Sequence, residues 1–176
     1  MMEYFQGPKG SWMWLVLRLY VGYAWLKAGW GKAFGDKPFD ASGFIKGAIA
    51  KSVPAKEGAK PIVQGWWADF LEAVALPNAG LFSFLVAYGE VLVGLALILG
   101  FATIFSAVMG MVMNMAFLLS GTVSSNPNLF ALQVIIVAVG GAYAGYIGVD
   151  YYFRPIYRNF MDKLLGVKDA TAKASA

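Results

Sequence analysis

Apolar positions fall into four long runs separated by polar stretches of very unequal length. The first run covers roughly 12–30, with Trp12 and Trp30 at its ends, and the others cover about 80–99, 102–120 and 129–149. Runs of about 20 apolar residues match the hydrocarbon thickness of a bilayer, and tryptophans at both ends of a run suit its two interfaces. The pattern predicts an all-α fold, an integral membrane four-helix bundle, with residues 1–176 forming a single transmembrane domain. Gly100-Phe101 predicts a tight turn between the second and third runs, and 121–128, with Pro127, predicts the next. The first run is too long and too aromatic for a cleaved signal, and Gly29-Trp30-Gly31-Lys32 is no small-x-small cleavage site.

Residues 31–79 form the one long loop, kept in water by six lysines and five acidic residues. Two short interfacial helices are expected inside it. Ser42 is placed to N-cap the first, over 43–51. Pro61 suits the first turn of the second, which reaches Ala75 and puts Ile62, Trp66, Phe70 and Val74 on one face. That face would lie on the membrane surface or cap the bundle. Beyond the fourth run, Asp150 and Arg154 are spaced to pair across a helical turn, and an amphipathic, basic C-terminal tail covers 155–176. The distribution of lysine and arginine favours a multi-pass protein of the cell (inner, cytoplasmic) membrane with both termini in the cytoplasm.

Composition narrows the chemistry. Only 14% of residues are charged, against about 25% in an ordinary soluble domain, so the lipid bilayer is the first partner and nucleic acid is not one. The chain has no cysteine and no histidine. Redox-active dithiols, thiolate-held iron–sulfur or zinc sites, His-ligated haem and a Ser-His-Asp triad are thereby excluded, and no metal site is expected. A redox role would rest on a bound cofactor or a partner subunit.

Ionisable groups at membrane depth are costly and are candidate functional residues by default. Arg18 lies about 9 Å beyond Trp12 and Glu90 about 15 Å from either end of the second run, at 1.5 Å per residue. Adjacent antiparallel spans would bring them within reach, predicting a buried Arg18–Glu90 pair. On the first run Arg18, Gly22, Trp25, Gly29 and Lys32 follow steps of four and three, so they share a face. Asn114 in the third run and Gln133 in the fourth complete a polar seam whose convergence would form a small-ligand pocket. Lys27, near Trp30, is expected to snorkel to the surface.

These residues carry a resemblance. Arg18-Leu19-x-x-Gly22-x-x-Trp25-Leu26-x-x-Gly29-x-x-Lys32 resembles the first-helix pattern of DoxX/DoxD membrane proteins. Glu90-x-x-x-Gly94 with Leu97-Ile98-Leu99-Gly100 is similar to their second helix, and Asn114 with Phe117-Leu118-Leu119-Ser120-Gly121 to their third. The long loop is more like DoxD-type members. The resemblance implies a membrane subunit of a quinone-linked oxidoreductase, of the thiosulfate:quinone oxidoreductase type. Quinone would then be substrate or bound cofactor, with thiosulfate as a small-anion substrate and a second redox subunit as partner. In that light Arg18 and Glu90 are the catalytic candidates, Glu90 relaying protons. Arg18, Asn114 and Gln133 would donate to quinone carbonyls, Trp25 would stack on the ring, and Lys32 with Arg18 would attract thiosulfate.

Two other classes use the same residues. Buried charges also line the pathways of small-anion or proton transporters and channels. A non-catalytic anchor or assembly subunit would use the basic tail and the 66–70 aromatics as its interface. A dead-end apolar slot favours quinone and a continuous wet path favours transport. Small-residue surfaces such as Gly141-x-x-x-Gly145 permit a homodimer.

Overall fold

The computed structural model describes residues 7–153, so the expected tail at 155–176 and the Arg154 half of the Asp150–Arg154 pair lie outside the described residues. Among them all regular structure is helical. Helix α1 runs Ser11–Phe34, four residues past its expected end. The long loop holds α2, Ser42–Ala50, and α3, Gly65–Phe70, which continues as a π-helical turn over Leu71–Ala75. Then come α4, Ala79–Leu99, and α5, Thr103–Leu119, with α6 at Asn126–Ile135. A second π-helical turn, Ile136–Gly140, and a 3-10 turn, Gly141–Tyr143, follow α6.

Local chemistry explains where these boundaries depart from expectation. Ser42 does not cap α2 but is its first residue. The cap comes from Asp40, whose carboxylate accepts the Ser42 N–H at 2.8 Å and the Ser42 hydroxyl at 2.6 Å. Those bonds, the hydroxyl's first, hold the Asp40 carboxyl below its ordinary pKa. Pro61 does not open α3, because the N–H groups of Ile62 and Val63 donate to the Lys51 carbonyl, at 3.1 and 3.2 Å, and tie this stretch back to the end of α2. The fourth apolar run begins at Asn126, with Pro127 in the first turn, three residues earlier than expected. Its helix ends at Tyr143, six residues early, because Gly141 takes a positive φ of 48°. The chain then docks on the α4–α5 turn, Val149 N–H donating to Leu99 O at 3.1 Å and Asp150 N–H to Gly100 O at 2.8 Å.

Helices α1 and α4 make the most extensive contact. They approach so closely that a Cβ on Gly94 would stand 2.5 Å from Leu26 N, and one on Gly29 2.7 Å from Glu90 Cβ. Helix α5 packs on α4 and α6, and α6 returns to α1. Val21, Leu97, Ala107 and Ile136, all fully buried, form the core between these four helices. A second, smaller core joins Ile45 and Ala48 of α2 to Leu71 and Ala75 below α3.

Among the described residues two segments are long and apolar enough to cross a membrane: α4, with mean hydropathy 2.2, and Asn126–Tyr143, with 1.3. Only 39% and 28% of their most apolar windows are buried inside the molecule. The core helix of a soluble protein would instead hide most of its apolar surface, so this surface is suited to lipid. Helix α5, apolar but 17 residues long, is shorter, and α1 carries Arg18, Lys27 and Lys32.

Candidate functional site

The long loop folds back over one end of the bundle, and a cavity of about 350 Å³ lies beneath it. Its wall is built by α1, α4, α5 and α6, its roof by α2 and α3. Hydrogen bonds from three residues fasten the roof. Trp67 Nε1 donates to Ser120 Oγ at 3.0 Å, Lys51 Nζ donates to Gly121 O at 3.1 Å, and the Ala41 N–H donates to Ser83 Oγ at 2.8 Å. The expected Ile62–Trp66–Phe70–Val74 face of the loop points outward, with Trp66 57% exposed. The face that covers the cavity holds Trp67 and Leu71 instead, four residues apart, with Phe70 at its edge. That spacing was readable in the sequence as a second stripe, masked by the more aromatic one.

Two charged side chains line the cavity. Lys32 Nζ donates to Glu90 Oε2 at 2.5 Å, and the ammonium sits 5.7 Å from the centre of the Phe39 ring. Glu90 is 1% exposed, and Lys32 keeps 29% of its side chain accessible. The remaining lining is dominated by Trp25, Phe44, Trp67, Phe70 and Phe117, with hydroxyls of Ser120, Thr122 and Ser124 on one side. A buried carboxylate needs a partner, and Lys32 supplies one while leaving the pair's net charge at zero.

The expected Arg18–Glu90 pair does not form. Arg18 is equally buried, at 1% exposure, but its Nη2 donates to Ile147 O at 2.7 Å. The carboxylate whose charge acts on it is Asp150, which in turn accepts the N–H groups of Ala102 and Thr103 at 2.6 and 2.8 Å and caps α5. The cause is axial register. Gly29 abuts Glu90 and Gly22 abuts Gly94, so Arg18 comes level with Gly100, about 15 Å along α4 from Glu90. The polar residues of α1 therefore serve two ends of the bundle. Lys32 reaches the cavity, and Arg18 belongs to the far end.

Asn114 and Gln133, both 0% exposed, meet each other at 2.7 Å but do not line the cavity. They stand behind Trp25, which does. The Gln133 amide has two orientations compatible with this contact. In one, its NH2 faces the indole N–H. In the other, its oxygen accepts from Trp25 Nε1 at 2.9 Å and its NH2 donates to Leu129 O at 3.2 Å, while its 2.7 Å contact with Asn114 becomes a hydrogen bond once the Asn114 amide is turned as well. The second satisfies the donors that the first sets against each other. Of the six site residues expected from sequence, the cavity gathers Trp25, Lys32 and Glu90; Asn114 and Gln133 reach it through Trp25, and Arg18 not at all. Lys27 is exposed, as a snorkelling lysine would be.

Among the described residues no group of three or more aspartates and glutamates is placed to hold a metal ion. Comparison with curated proteins and with solved structures found no match. A comparison with protein families did: the profile described as "TQO small subunit DoxD" matches residues 13–167, which takes in all four apolar runs, the loop helices and the cavity. The chain belongs to the DoxD family.

Proposed function

We propose that this chain is a quinone-binding membrane subunit of a thiosulfate:quinone oxidoreductase, crossing the bilayer four times, with the cavity beneath α2 and α3 as the site of the quinone head group. The observation that carries this reading is the cavity's character: aromatic and apolar walls around one charge-neutral polar pair. A neutral, flat ring with two carbonyl oxygens suits such a site. A thiosulfate dianion does not, because the one cation in the wall is already neutralised by Glu90 and transfer of a dianion into apolar surroundings is prohibitive. Thiosulfate oxidation is therefore assigned to a larger partner, in keeping with the family's description as a small subunit.

Reduction of a quinone to a quinol takes up two electrons and two protons. In this site Lys32 has N–H groups to offer a carbonyl oxygen, and Glu90 can hold a proton on the oxygen that Lys32 leaves free. Trp25 offers a ring face for stacking. With no cysteine or histidine in the chain, the electrons come from outside it. The dry core of Val21, Leu97 and Ile136 separates the cavity from Arg18, which favours a dead-end site over a transport path.

The test is binding of a short-chain ubiquinone to the purified chain in lipid nanodiscs, followed by thiosulfate-dependent reduction of it in membranes containing the partner. Glu90→Gln is expected to leave binding near the parent value and to slow reduction about a hundredfold, the lower end for a lost acid–base group. Phe117→Trp, which brings a larger ring into the cavity wall, is expected to weaken binding strongly. Unchanged binding in Phe117→Trp would overturn this placement of the site.

A further inference from the structure

We infer that Gln133 and Asn114 are positioning residues that set the plane of the Trp25 indole in the cavity wall; the inference rests on the reading of the cavity as a quinone site. Trp25 is 2% exposed and lines the cavity. Its one polar atom, Nε1, points away from the cavity and donates to Gln133 at 2.9 Å. Gln133 in turn donates to Leu129 O at 3.2 Å and packs against the Asn114 amide at 2.7 Å, a bond when the Asn114 amide is turned to present its oxygen. The network joins three helices at one level: Trp25 on α1, Asn114 on α5, and Gln133 with Leu129 on α6.

Two features mark the arrangement as a built one. A Cβ on Gly110 would overlap the Gln133 amide and stand 3.1 Å from Trp25 Nε1, so α5 opens a slot for this one contact. The Gln133 amide is also fully removed from water, where an unmade hydrogen bond carries its full penalty, which favours the indole orientation that gives Trp25 Nε1 its acceptor. An indole otherwise held only by apolar contacts could turn about χ2, and an aromatic wall that turns loses its stacking partner.

The experiment uses the full chain labelled with 5-fluorotryptophan in nanodiscs. There are six tryptophans, so the Trp25 fluorine resonance is assigned with Trp25→Phe. Gln133→Leu is expected to shift that resonance and to weaken short-chain ubiquinone binding about five- to tenfold, the loss of one buried hydrogen bond. Gln133→Glu, whose protonated carboxyl keeps the acceptor for the indole and one of the two donors, is expected to restore the resonance and most of the affinity. In the Trp25→Phe background, Gln133→Leu should weaken binding no further, which a purely structural role for Gln133 would not produce. An unmoved Trp25 resonance in Gln133→Leu, or an equal loss of affinity with and without the indole, would overturn the inference. Failure of the parent chain to bind the quinone is a different result. It removes the quinone reading, while the fluorine shift and its rescue by Gln133→Glu still decide whether the network holds Trp25.

Discussion

Glu90 and Lys32 face one another at a wall that is otherwise apolar, and their value to the molecule differs when they are removed singly or together. Lys32→Met alone leaves a carboxylate at 1% exposure without its partner. The expected destabilisation is about 3 kcal/mol, the low end of the range for broken buried pairs because the lysine is itself 29% accessible. The double variant Lys32→Met/Glu90→Gln is expected to recover most of that loss, as measured by thermal unfolding in lipid; an additive result would show that the pair is not coupled. The residue types at this site were legible in the sequence, since a glutamate or lysine in an apolar helix stands out at once. Their pairing was not. Steps of three and four place Arg18 and Lys32 on the same face of α1 but say nothing about which of them is level with Glu90. That depends on how Gly22, Gly29 and Gly94 interlock, a matter of backbone approach between two helices.

At the scale of elements, those glycines make their own prediction. Gly94→Ala would set a methyl group 2.5 Å from Leu26 N, a backbone atom that cannot move independently of α1. The expected cost is about 1–3 kcal/mol, whereas Gly31→Ala on the same α1, with nothing within 4 Å of the added carbon, is expected to be neutral or slightly stabilising. Equal thermal shifts in the two variants would contradict the close α1–α4 packing. The cap of α2 gives a pH signature. Asp40 has its pKa lowered by the Ser42 hydroxyl and N–H, so its contribution is fully present above the ordinary carboxylate pKa and is lost as pH falls through the depressed value. Faster amide exchange at the start of α2 is expected on acidification through that range, and Asp40→Ala is expected to show the faster exchange at every pH. The loop helices themselves were legible from their periodicity. The Ile62–Trp66–Phe70–Val74 stripe faces outward, as a face lying on a membrane surface would, whereas the inward Trp67–Leu71 stripe was not legible because it carries less aromatic surface. An element lying at a membrane surface can expose its greasier face, so the usual inference from apolar stripe to buried face fails there.

Across the whole molecule the buried charged groups gather at two ends, with only the uncharged Asn114–Gln133 pair between them. One end holds Lys32, Glu90 and the hydroxyl-lined mouth under the loop helices. The other holds Arg18, Asp150 and the α4–α5 turn. The all-helical nature and the number of apolar runs were legible because bilayer-length runs leave few alternatives. The separation into two ends was not, because it follows from register and from the early close of the fourth helical run at Gly141. The separation of the buried charges into two ends also has an electrical consequence. If protons reach the cavity only from the loop side, quinone reduction there moves no charge through the chain's own thickness. Moving one elementary charge across would couple turnover to voltage by about 2.3 kcal/mol per 100 mV, roughly a fiftyfold change in rate or equilibrium. In sealed proteoliposomes, turnover is therefore expected to be indifferent to an imposed potential, with proton uptake confined to the compartment facing the loop helices. The bundle would act as an insulator with a reaction vessel set into one surface.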